Sequence, residues 1–262
     1  MTTSFFKALL ISFSALLVSQ QVWANAPREN LVTFNEIKSD YSEFYGAASL
    51  TRLSLAYGAG MISAATIDDN IARYYQNNIR NNSTDSFAKT AKNFGEWKYV
   101  IPAALAASYL GTRQDGGVGQ WGNQTFRALI VGGPGVLVMQ PVTGASRPNE
   151  NAAHGAQWKP FNDNNGVSGH AFVGAVPFLT LANMQAEGSA ARYVAVAASL
   201  AAPLSRINSN SPYLSQAALG WYMAYEASRA VSSNGRSSAP KAEFLPYLDG
   251  TRVGLIYAIP LN

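Results

Sequence analysis

Ser168-Gly169-His170-Ala171-Phe172-Val173-Gly174-Ala175-Val176-Pro177-Phe178-Leu179-Thr180-Leu181-Ala182-Asn183-Met184 is the stretch on which the fold turns. A serine opens an apolar run long enough for a core helix, and Pro177 predicts a kink within it. The start of such a helix offers backbone N–H groups and the positive end of the helix dipole, which together attract anions. Gly169 permits close backbone approach. His170 sits in the first turn, where it can be aimed at the same ligand.

Working outward, other segments carry the same helical spacing. Residues 45–64 place Leu50, Leu53, Leu55, Tyr57, Met61 and Ile62 on a first helix. Thr66 precedes Asp69 by three residues, a capping-box-like start, and Ile67, Ile71, Tyr74, Tyr75 and Ile79 read as the apolar face of a second helix. Residues 97–110 read as a third helix, ended by Gly111. A Gly-rich loop over 113–123 follows, then a fourth apolar segment over 125–140. There Gly132-Gly133-Pro134-Gly135 predicts a kink or a break. Residues 190–204 and 213–231 read as a sixth and a seventh helix. Residues 25–43 read as an arm or loop, 77–86 as a turn, 149–167 as a long polar loop, 232–241 as a flexible stretch and 252–261 as a strand. No apolar run reaches roughly 18 residues without interruption, so the helices read as those of a bundle core and not as membrane spans. The expected fold is an all-α, single-domain bundle of about six to seven core helices over residues 25–262.

Residues 1–24 read as an export signal. Lys7 ends a short n-region, residues 8–18 are apolar, and Val22 and Ala24 precede a cut after Ala24. The alternative, an uncleaved anchor, meets an apolar run of only about eleven residues, where a spanning helix needs roughly 20. The expected location is therefore the periplasm or the exterior, either free or resting on a membrane surface.

Composition narrows the chemistry. Cysteine is absent, which excludes disulfides, thiolate metal sites and a Cys nucleophile. Only two histidines occur, His154 and His170, so mechanisms needing three are excluded. Charged residues make up 13% of the chain, and the net charge of +4 comes from scattered Lys and Arg. Nucleic-acid binders cluster such residues, so no nucleic-acid partner is expected.

Three clusters then occur in order: Thr143-Gly144-Ala145-Ser146-Arg147-Pro148, Gly166-Val167-Ser168-Gly169-His170-Ala171, and Ser205-Arg206-Ile207 running on to Pro212-Tyr213-Leu214-Ser215-Gln216 and Gly220-Trp221. Guanidinium groups match tetrahedral oxyanions with paired donors, so Arg147 and Arg206 converging on the helix start at Ser168 would make a phosphate site. Taken singly, the same residues read as a helix cap, a turn and a surface histidine.

Together, the order and spacing of the clusters resemble the signature blocks of the PAP2 acid phosphatase/vanadium haloperoxidase superfamily. That pattern is Lys, six residues, Arg-Pro; then Pro-Ser-Gly-His; then Ser-Arg, five residues, His, three residues, Asp. The resemblance covers residues 140–221, and Trp158-Lys159-Pro160-Phe161 also looks like exported members. It implies an all-α fold, and either hydrolysis of phosphate monoesters, lipid phosphates among them, through a phosphohistidine or vanadate binding in the same pocket. It implies that Arg147, Ser168, Gly169 and Arg206 hold phosphate oxygens and that His170 protonates the leaving group. The sequence departs from the pattern at three positions: Gln140 stands for Lys, Pro212 for the nucleophilic His, and Gln216 for its Asp partner. Pro212 has no side-chain atom able to attack phosphorus, and it also removes the histidine through which the family ligates vanadate. No cofactor or metal is therefore expected. The reading divides into a phosphatase of altered mechanism and a non-catalytic oxyanion-binding pseudoenzyme. For the first, His154 is a surrogate nucleophile, with a solvated loop histidine as the alternative, or water attacks with His170 as acid or base.

Overall fold

The stretch at Ser168 is a helix, here α7 (Gly169–Asn183), and it forms the centre of the structure. The Ser168 hydroxyl caps it by accepting the Ala171 N–H at 3.2 Å. Most of residues 171–182 are buried, so neighbouring helices cover it on several sides. The computed structural model describes residues 32–111, 117–150, 154–237, 243–249 and 252–258. The signal segment 1–24 lies outside the described residues.

Before α7 come α1 (Phe34–Phe44), α2 (Ala47–Thr66), α3 (Asp68–Tyr74) running into a π turn (Tyr75–Ile79), α4 (Asn82–Ala91) with a 3-10 turn (Lys92–Gly95), α5 (Trp97–Gly111) and α6 (Gly117–Thr143). After it come α8 (Ala190–Ala198), α9 (Ala201–Asn208) and α10 (Leu214–Ser237). The tail expected as a strand is β2 (Arg252–Ala258), paired antiparallel with β1 (Glu243–Asp249) so that Glu243 faces Ala258. The body is an all-α bundle. Phe172, Val176 and Leu179 of α7 meet Val131 of α6 and Leu219 and Met223 of α10 in the main core.

Several expectations change. Residues 34–44 are not an arm but α1, started by a capping box in which the Thr33 hydroxyl accepts the Glu36 N–H and Glu36 accepts the Thr33 N–H. Residues 82–91 are a helix and not part of a turn, because Asn81 caps it through Ser83 and Thr84. The Thr66 cap does not form: its hydroxyl donates to the Ile62 carbonyl, and α3 begins without a side-chain cap. The expected sixth helix divides into α8 and α9 at Ser199 and Leu200. Helix α6 starts at Gly117, inside the expected Gly-rich loop, and α10 continues to Ser237, into the expected flexible stretch.

The largest difference is that α6 passes unbroken through Gly132-Gly133-Pro134-Gly135. Pro134 has no N–H for the Ile130 carbonyl. The Tyr41 hydroxyl supplies that bond at 3.0 Å, and Tyr45 donates to Val131 at 3.2 Å. Gly132 serves contact and not flexibility, since a Cβ there would lie 2.6 Å from the Phe172 ring and 2.9 Å from Ala227. Being continuous, α6 is long and apolar enough to cross a membrane by length and composition. In the bundle it packs against α5, α7 and α10, and it buries Asn123, Gln124, Thr125 and Arg127 along with its apolar residues.

Two buried carboxylates set the outer helices. Arg127 on α6 grips Asp40 on α1 with two bonds, at 2.6 and 2.7 Å, and reaches Glu36 at 2.9 Å. Arg52 on α2 grips buried Glu226 on α10 with two bonds of 2.8 Å, and Ser49 adds a third. Burial opposes the Glu226 charge, but Arg52 and Ser49 outweigh it and hold the carboxyl below its ordinary range. This clamp fixes the rotation of α2. It turns Leu53 inward with Ser49, Gly60 and Ala64, and leaves exposed Leu50, Leu55, Met61 and Ile62, which the sequence shows only as apolar residues at helical spacing.

Replacing Arg127 by Met leaves Asp40 buried without its guanidinium. The expected loss of stability is about 3–5 kcal/mol, measured by urea denaturation.

Candidate functional site

The three sequence clusters meet at the start of α7. Gln140 lies near the end of α6, Arg147 in the loop after it, Ser168, Gly169 and His170 at the N-terminus of α7, and Arg206 near the end of α9. All six line one cavity of about 110 Å3, together with Asn165, Val167, Ser211, Pro212 and Gln216. The first turn of a helix carries N–H groups that no intrahelical carbonyl accepts, so this lining joins two guanidiniums to a helix N-terminus. A Cβ at Gly169 would meet nothing nearer than the Gln140 amide at 3.5 Å. Its lack of a side chain leaves room on the cavity side.

The two glutamines hold this wall together. Gln140 donates its amide N–H to the Val167 carbonyl at 3.0 Å. Buried Gln216 donates to the Ser146 carbonyl at 2.7 Å and accepts the Tyr213 N–H at 2.9 Å. The Ser168 N–H donates to the Gln216 carbonyl at 3.0 Å. Gly220, one turn further along α10, lets that helix press on the start of α7, since a Cβ there would lie 2.3 Å from the Ser168 carbonyl. Every cluster is thus tied to another by a buried or half-buried amide.

His170 has a partner that the sequence did not reveal. Glu96, between the 3-10 turn and α5, places Oε1 3.3 Å from His170 Nε2. Gly95 allows this approach, because a Cβ there would lie 2.7 Å from the His170 carbonyl. No spacing rule links two residues 74 positions apart. The hydrogen bond to His170 holds the Glu96 carboxyl below its ordinary range. Burial and then the Arg206 charge push His170 below its ordinary value of 6.5, with Glu96 opposing them. Burial and the nearby Arg147 also lower Arg206. The site holds two guanidiniums, Arg147 and Arg206, and two carboxylates stand beside them, Glu150 at 3.9 Å from Arg147 and Glu96 at His170.

His154 is not among the residues that line the cavity. Its Nε2 lies 3.0 Å from the Ser146 hydroxyl, which donates to Asp163 at 2.8 Å. In a serine-hydrolase relay the carboxylate orients the histidine. Here it binds the serine, so the trio acts as a clamp. It orders the long loop, helped by Phe161 N–H to Pro141 and Asn165 N–H to Ala145. Among the described residues no group of three or more His, Asp or Glu is gathered to hold a metal.

No family model and no curated protein matches the chain. Among solved structures it is similar to one described as the first transmembrane PAP2 type phosphatidylglycerolphosphate phosphatase from Bacillus subtilis. The TM-score is 0.48 and the identity 10%, over 79% of this chain and 96% of that one.

Two outcomes test this geometry. Gln216→Asp removes the donor to Ser146, and urea denaturation is expected to show a loss of about 1–3 kcal/mol. Glu96→Gln removes the group that favours charged His170, so an NMR titration is expected to show the His170 pKa falling further.

Proposed function

We propose that this chain binds a phosphate group, free or at the end of a phosphomonoester, between Arg147, Arg206, His170 and the start of α7, and that it does so without forming a phosphohistidine. The observation that carries this reading is the convergence of both arginines and His170 on a cavity whose wall includes Pro212. Guanidinium forks and helix N–H groups suit phosphate oxygens. The order of the three clusters, which resembles the PAP2 superfamily blocks, supports a phosphoryl ligand over other anions. Proline offers no nucleophile, and His154 is engaged by Ser146 away from the cavity. Vanadate would enter as a phosphate mimic without a nitrogen ligand at position 212, and no cofactor is required. The segment 1–24 supports a site that works in the periplasm or outside the cell.

A second reading is hydrolysis by direct attack of water, with His170 as the acid that protonates the leaving oxygen. Its support is the Glu96–His170 contact, because an oriented imidazole is the usual proton donor for such a step. The two readings separate on p-nitrophenyl phosphate. Release of phosphate that disappears in His170→Ala favours hydrolysis, and wild-type release no greater than that of the variant favours binding alone.

Calorimetry with inorganic phosphate tests the site itself. Arg206→Ala and Arg147→Ala are each expected to weaken binding by about tenfold or more. Binding of neither phosphate nor vanadate to the wild type would sink the reading.

The sign of the pH effect also follows. Protonating His170 adds a cation beside Arg206, so that contribution to stability is present above pH 6.5 and is lost as pH falls through the depressed pKa. A bound phosphate reverses the repulsion and raises the His170 pKa. Just below pH 6.5 phosphate binding is therefore expected to take up more protons in the wild type than in His170→Ala, measured as a dependence of the calorimetric heat on buffer ionisation enthalpy.

A further inference from the structure

Helix α5 is apolar on both of its faces. Val100, Ala104 and Ala107 are buried, and the helix packs along α6. The approach is so close that a Cβ at Gly122 would lie 2.3 Å from the Ser108 backbone nitrogen. The outward face carries Tyr99, Pro102, Ala103, Leu105, Ala106 and Tyr109, all exposed, and Trp97 stands exposed at the start of the helix. Positions 102, 105, 106 and 109 follow the spacing of one helical face. A surface helix ordinarily turns charged residues outward. Among the described residues of α5, Lys98 is the one that carries a charge.

The composition of this face points to what covers it. Trp and Tyr join an apolar body to one hydrogen-bonding group, which suits the level of lipid headgroups. Lys98 sets an apolar stem beneath its charge, with its ammonium 5.1 Å from the centre of the Tyr99 ring. Lys89 and Lys92, both exposed, precede the helix. Over residues 86–109 the one acid is Glu96, which is half-buried, bonded to His170 and 4.0 Å from Lys98. The exposed charge of this segment is therefore positive, which complements anionic headgroups. A second copy of the chain fits worse. A two-fold contact puts the same surface on both sides, so Lys98 and its neighbours would meet their own copies with no exposed acid to pair them. Lysine is also depleted from protein interfaces. With 15 residues, α5 falls short of the roughly 20 that span a bilayer, so it would lie along the surface. None of these residues lines the phosphate cavity.

We infer that the outward face of α5 docks this protein on an anionic lipid surface. Trp97, Tyr99, Leu105 and Tyr109 enter the headgroup layer, and Lys98 pairs with lipid phosphates beside them. The contact does not depend on what the cavity at α7 binds.

Vesicle flotation of the exported protein tests this, with phosphatidylcholine alone and with an equimolar mixture of phosphatidylcholine and phosphatidylglycerol. The mixed vesicles are expected to bind about tenfold tighter or more. Trp97→Ser combined with Tyr99→Ser is expected to weaken that binding by about tenfold or more. Lys98→Glu is expected to weaken it on mixed vesicles by about tenfold and to leave phosphatidylcholine unaffected. All three side chains are exposed, and an unchanged thermal midpoint checks that the variants fold. Trp97 is 65% exposed, while Trp121, Trp158 and Trp221 are half-buried. A blue shift of tryptophan emission on mixed vesicles is therefore expected in the wild type and not in Trp97→Phe. No binding to mixed vesicles overturns the inference, as does binding that the Trp97, Tyr99 and Lys98 variants leave unaltered. Binding lost in Arg206→Ala but kept in those variants belongs to the phosphate cavity and overturns it too. A dimer that Trp97→Ser dissociates, in a protein that ignores vesicles, gives the face to a second copy instead.

Discussion

The structure depends on one knot of amide hydrogen bonds at the start of α7. Gln216 ties the turn before α10 to Ser146 through its side chain and to Ser168 through its carbonyl, and Gln140 ties α6 to Val167. These contacts link segments far apart in sequence, and each buried amide left without a partner would cost a large fraction of a domain's stability. The knot sets where the helix dipole points and how wide the cavity beside it opens. Arg147 and Arg206 take their positions from the segments it joins.

The same knot bears on what the site does. The amides of Gln140 and Gln216 are both engaged with backbone groups of the wall. Their geometry is that of framework residues. An acidic side chain at position 216 would cut the bond to Ser146 and loosen that wall.

Electrostatics supplies the other half. Arg206 and His170 share a small half-buried space with Glu96 in contact with His170, and exposed Arg147, 3.9 Å from Glu150, stands at its rim. Burial and neighbouring positive charge lower both His170 and Arg206. Glu96 orients the imidazole against those charges. The Ser146–His154–Asp163 clamp plays the complementary structural part, fixing the loop that brings Arg147 and Asn165 to the rim.

The sequence by itself determined the helical class, the strand at the tail, the cap at Ser168, and the residues that gather at one cavity. Each depends on local spacing or on motif order, which the chain displays directly. It misjudged α1 and α4, whose caps at Thr33 and Asn81 lie in polar stretches with little apolar periodicity, and it read a kink or a break at Gly132-Gly133-Pro134-Gly135, through which α6 is continuous. Only the tertiary structure decided those matters. The carbonyl that Pro134 leaves is satisfied by Tyr41, 89 residues away, and the rotation of α2 is set by a salt bridge to Glu226. The contact of Glu96 with His170 belongs to the same class. It arises where distant segments pack, and a hydrogen bond formed across the bundle leaves no period in the sequence to read.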